Sequence, residues 1–139
     1  MKILKKWIFT ALPFAYMILI WTLSSLPHNA VVELPDSAVD RFIKESLHLV
    51  EFGILYLLFV FLFLNRGTFN EKISMICAIV AGLYGVVDEI HQSFVPYRSA
   101  SIIDVIKDVI GVVVAYIIIK RSYFQGRYPF IKKLLIKLS

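Results

Sequence analysis

Residues 73–95 read ISMICAIVAGLYGVVDEIHQSFV. Fifteen residues, Ile73 to Val87, pass without a charge, and then Asp88, Glu89, His91 and Gln92 fall within five positions. A helix needs about 20 residues to cross a ~30 Å hydrocarbon core. This stretch is therefore long enough to span a bilayer and polar only toward one end. Three more apolar segments share its character: Trp7–Leu26, Leu47–Leu64 and Ile102–Ile119. Of the 139 residues, 59% are hydrophobic and 18% charged, against roughly 25% charged in a soluble domain. Too few polar groups remain to cover a water-facing surface. The expectation is an all-α polytopic membrane protein, a four-transmembrane-helix bundle forming one domain over residues 1–139, with a basic tail at 120–139. The first segment has no small-x-small cleavage site and is read as a retained helix. One cysteine, Cys77, excludes a disulfide framework or a Cys-based metal cage.

Lys and Arg set the orientation. Eleven fall at the N-terminus, in the second connection and in the tail; only Arg41, Lys44 and Arg98 fall in the other two connections, and Lys107 lies inside a span. Both termini are expected in the cytoplasm of a multi-pass cell-membrane protein. The net charge of +5 is thus read as topology and lipid contact, not nucleic-acid binding. In the tail, Ile131, Leu134, Leu135 and Leu138 share a helical face, with Lys132, Lys133 and Lys137 turned away, a pattern that suits the anionic inner leaflet.

Polar residues interrupt three spans at one level. With a rise of ~1.5 Å per residue, Glu51 and His48 stand about 20 and 24 Å above the inner end, and Asp88 and Gln92 about 22 and 28 Å. On the fourth span Asp108, Lys107 and Asp104 stand about 16, 18 and 22 Å up. Asp104, Lys107, Asp108 and Gly111 form one stripe, as do His48 with Glu51 and Asp88 with His91 and Gln92. A charge facing lipid at mid-depth costs at least ~2.5–3.5 kcal/mol, so these groups are expected to turn inward and share a pocket open to the outside, built by spans two to four. Ala78/Gly82 and Ala81/Gly85 are read as close-packing pairs, and Trp7 and Trp21 as interfacial anchors.

The run Tyr84–Arg98, with Ser101, Asp104-Val105 and Gly111, resembles the signature of the VanZ-like family, as do Trp21, Ser24-Ser25, Lys44, His48, Glu51 and Phe52. The likeness extends from about Trp21 to Gly111. It implies a small multi-pass membrane protein, of a family some of whose members are linked to teicoplanin resistance. It points to His48, Glu51, Asp88, Glu89, His91, Gln92, Arg98 and Asp104 as the functional set. Tyr97 stands where Gly often precedes the arginine. Lys107 and Asp108 replace a small residue followed by Asn, adding two charges to the pocket.

Three functions fit these residues. In the first, the pocket and Arg98 bind the head group of a lipoglycopeptide or lipid-linked cell-wall intermediate. The second is an enzyme acting on a lipid or lipopeptide head group, with Asp88, Glu89 and His91 as candidate acid–base residues. No cofactor is called for, though His48, Glu51, Asp88 and His91 have a spacing that a divalent metal can use. No Ser or Cys nucleophile with a plausible adjacent base stands out, Ser93 and Ser101 being the candidates the sequence offers. The third is a proton-coupled transporter, for which so small a bundle would have to form a homodimer.

Overall fold

A computed structural model of the chain describes residues 2–26, 37–96 and 100–138, and of residues 2–3, 37–45 and 48 the backbone alone. The described residues form five α-helices in chain order: α1 Lys2–Ser24, α2 Ser37–Arg66, α3 Glu71–Gln92, α4 Ile102–Ile119 and α5 Pro129–Leu138. A π-helical turn, Lys120–Phe124, joins α4 to the segment before α5. Among the described residues there is no strand. Among the described residues, three helices contain stretches long and apolar enough to cross a membrane: Leu4–Ser24, Leu49–Arg66 and Glu71–Gln92. The fourth, α4, is 18 residues long and carries Asp104, Lys107 and Asp108.

The helix ends follow local chemistry. Asn70 caps α3, its side chain accepting from the Ile73 amide at 3.0 Å, and Ser101 caps α4 through the Ile103 amide at 3.0 Å. Gly67, at φ +70°, ends α2. Its amide donates to Leu64 and that of Thr68 to Phe63, the paired bonds of a left-handed C-terminal cap. Helices α1, α2 and α3 differ from the sequence reading at both ends, α1 starting at Lys2 and stopping at Ser24 rather than running Trp7–Leu26, and two of the differences have a plain local reason. Helix α2 starts at Ser37, ten residues before Leu47, because neither Gly nor Pro interrupts 37–47. Helix α3 stops at Gln92 rather than Val95, since Pro96 disfavours helical backbone at the residue before it.

Helix α2 is the hub and packs against α1, α3 and α4. Phe52, Leu55, Tyr56 and Val60 are wholly buried on one of its faces, at helical spacing. Ile20, Cys77, Ala81, Val112 and Ile119 complete the core from the other three helices. The outer surface is apolar, with Ile18, Leu83, Ile90 and Ile103 all exposed, as a lipid-facing surface requires. At one end of the bundle Arg66 donates to Thr10 at 3.1 Å, and Lys120 pairs with Glu71 at 3.0 Å. The start of α3 and the ends of α2 and α4 therefore lie together, and α1 to α4 alternate in direction. Glu71 holds the exposed Lys120 ammonium above its ordinary pKa. Helix α5 divides its apolar face: Leu135 is buried and Ile131 half-buried, while Leu134 and Leu138 are exposed.

The closest helix contact is between α2 and α4. A Cβ on Gly111 would overlap the Leu49 carbonyl oxygen, and one on Gly53 would lie 3.1 Å from the Gly111 carbonyl oxygen. Of the pairs read as close-packing, Ala81 and Gly85 are buried, whereas Gly82 faces open space. Gly111→Ala should therefore destabilise the bundle by about 1–3 kcal/mol, and Gly82→Ala should be neutral or slightly stabilising. Thermal unfolding of both variants in micelles checks this; equal shifts would contradict the contact.

Candidate functional site

The polar end of α3 is where the helices meet in chemistry. Asp88, Glu89 and Gln92 are buried there, Asp88 completely, and a helical repeat puts Asp88 and Gln92 on one face. That face meets the end of α1. Ser24, itself buried, donates to Asp88 Oδ2 at 2.7 Å, and Gln92 Nε2 donates to the same oxygen at 2.6 Å. Gln92 Nε2 also lies 3.4 Å from Ser24 Oγ, so the three side chains close a ring. Asp88 Oδ1 is buried and has no hydrogen-bond partner among the described residues.

One turn on, His91 adds a second tie to α1. Its ring stacks on Trp21 with centroids 3.9 Å apart and planes 18° from parallel, and its Nε2 lies 2.9 Å from Ser25 Oγ. Below it, the Tyr84 hydroxyl donates to the Met17 carbonyl at 2.7 Å. Phe14, Met17, Ile18, Trp21 and Tyr84 line an apolar groove of about 340 Å³ on this seam. Trp21 therefore stands between an apolar groove and a polar group.

Helix α4 closes the other side. Asp108 is buried against α3 where Gly85 leaves room, since a Cβ there would lie 3.2 Å from Asp108 Cβ. The carboxylates of Glu89, Glu51, Asp88 and Asp104 all act electrostatically on Asp108. Glu89 Oε2 accepts from the Ser101 amide at 3.4 Å, joining the end of α3 to the start of α4. Lys107 pairs with Asp104 at 3.3 Å, with both side chains about a quarter exposed.

Of the residues singled out in the sequence, the fold gathers Glu51, Asp88, Glu89, Asp104 and Asp108 into one electrostatic group, with Lys107 at its edge on Asp104. His91 and Gln92 turn toward α1. The His48 side chain and all of Arg98 lie outside the described residues. Among the described residues no three His, Cys, Asp or Glu side chains are arranged to hold a metal ion. The sequence reading built the site from spans two to four, but Trp21 and Ser24 of α1, with Ser25 just past its end, join it. Their place in the family resemblance and their i, i+3, i+4 spacing were the available signals, although Trp21 alone reads as an interfacial anchor. Gln92→Leu keeps the side chain's bulk and removes a donor from a buried carboxylate. Its expected cost is about 1–3 kcal/mol, read from thermal unfolding; an unchanged transition would mean the ring contributes nothing.

No curated protein and no solved structure gives a significant match to the chain. The family model described as VanZ/LLP1 matches residues 4–125. That range takes in α1 from Leu4 on, α2 to α4 and every residue of the site just described, and on it the chain belongs to the VanZ/LLP1 family.

Proposed function

We propose that the chain is a four-span protein of the cell envelope, with cytoplasmic termini, that binds a lipid-linked or lipoglycopeptide ligand at the outer end of its bundle. The head group sits at the polar group formed by α1, α3 and α4, and an acyl chain lies in the groove along α1 and α3. The observation that carries this reading is the continuity of the two surfaces at Trp21, one face of which stacks on His91 while the side chain also lines the apolar groove. An amphiphile needs that succession of environments. The family's link to teicoplanin fits a ligand with a polar core and a fatty chain. Inclusion of α4 as a span is supported by its backbone contact with α2 at Gly53 and Gly111, and the orientation by the eleven basic residues of the inner segments.

Two measurements test the reading. In a Cys77→Ala background, Phe94→Cys should react with a membrane-impermeant maleimide in intact cells, and Gln125→Cys only after permeabilisation. The reverse pattern would overturn the orientation. Native mass spectrometry should show purified protein retaining teicoplanin or a lipid-linked wall precursor, but not the same head group stripped of its chain. Trp21→Ala should weaken retention about tenfold or more, as truncation of a buried aromatic anchor does. If neither amphiphile is retained, the binding reading fails.

A further inference from the structure

We propose that Ser25 and His91 form a nucleophile–base pair that cleaves acyl esters at the outer end of the α1–α3 seam. The two atoms that matter, Ser25 Oγ and His91 Nε2, are 2.9 Å apart, within the range for proton transfer from a nucleophile to its base. The imidazole is held against Trp21, and the Ser25 side chain is exposed to an incoming substrate.

The hydroxyl has one proton and two acceptors. Ser25 Oγ is 2.7 Å from the Trp21 carbonyl oxygen as well as 2.9 Å from His91 Nε2. With Nε2 unprotonated, rotation about the Cβ–Oγ bond carries the proton from the carbonyl to the imidazole while every heavy atom stays in place. The resting pair and the attacking pair thus differ by a single rotor. The Ser24–Asp88–Gln92 ring, one residue before Ser25 on α1 and flanking His91 on α3, fixes the two helices against each other; its members are positioning residues.

The substrate class follows from level. The groove ends at Trp21, and Ser25 lies one helical turn beyond it. In an acylated lipid the ester carbonyl joins the chain to the head group, so a chain seated in the groove brings that carbonyl to the height of Ser25. Ser25 Oγ then attacks the carbonyl carbon as its proton passes to His91 Nε2. Collapse of the tetrahedral adduct breaks the ester C–O bond, and the leaving alcohol takes the proton back from His91. Water, deprotonated by His91 in turn, attacks the acyl-serine, the acyl C–O bond breaks and His91 returns the proton to Ser25 Oγ, so ester and water become acid and alcohol with no redox change. The acyl substrate rests on the ligand reading above; the reactive pair does not.

The test is labelling of the purified full-length protein in micelles with a small fluorophosphonate, which needs an activated serine and no lipid recognition. The expected result is one phosphonate adduct, mapped to Ser25, absent in Ser25→Ala. In His91→Gln, which keeps a planar hydrogen-bonding side chain but no base, the rate should fall about 100-fold or more. Circular dichroism and membrane abundance establish that both variants fold. No labelling above that of heat-denatured protein, or labelling unchanged in His91→Gln, overturns the proposal. Labelling without ligand retention would leave this pair standing and sink the binding reading; retention without labelling would do the opposite.

Discussion

A carboxylate buried in a bundle with an apolar exterior has to be hydrogen-bonded, because an unpaired charge at that depth costs several kcal/mol. Asp88 sits under that constraint, and its Oδ2 draws donors from two helices, Ser24 on α1 and Gln92 one turn along α3. The end of α1 is thereby fixed in height and rotation against the end of α3. Trp21 and Ser25 are one turn or less from Ser24, so they are delivered to His91 as a consequence. A helix that by composition is little more than an apolar anchor becomes one wall of the site.

The other wall depends on close approach of backbones. Without side chains at Gly53 and Gly111, α2 and α4 come into main-chain contact, and Gly85 lets Asp108 lie against α3. These three glycines bring Glu51 and Asp108 to the level of Asp88 and Glu89. Carboxyl groups so crowded would repel one another if all were ionised, and more strongly buried than exposed. Packing of the α2 core holds them there, since the wholly buried Phe52–Tyr56–Val60 face cannot slide by part of a turn without opening cavities. The result is a group of acids at one end of the bundle and a mainly basic surface at the other.

Much of this was legible in the residues. The all-helical class followed from apolar run lengths. The inward turn of Asp88, Gln92 and Asp108 followed from the cost of placing them in lipid, and α4 has the bounds its hydropathy gives. Composition could not say which helix an inward polar group would meet. Asp88 and His91 share a face at i, i+3, which suggests one common target; Asp88 in fact binds Ser24 while His91 stacks on Trp21. Ser24 and Ser25 are too short and too common for their types to mark a partner. The early start of α2 was missed because polar Asp40, Arg41, Lys44 and Glu45 look like a connection, although nothing among them breaks a helix. The glycine contact between α2 and α4 was hidden because each helix contributes one glycine, with no repeat to announce it.

Everything functional in this account presumes that α1 and α3 share one polar core around Asp88. A double-mutant cycle on Ser24→Ala and Asp88→Asn, with unfolding free energies measured in micelles, tests that most directly. If the Ser24 hydroxyl and the Asp88 carboxylate meet as described, the two changes will be non-additive by about 0.5–3 kcal/mol. Additivity to within about 0.3 kcal/mol would mean that the two helices are not joined there, and the site would have to be rebuilt without α1.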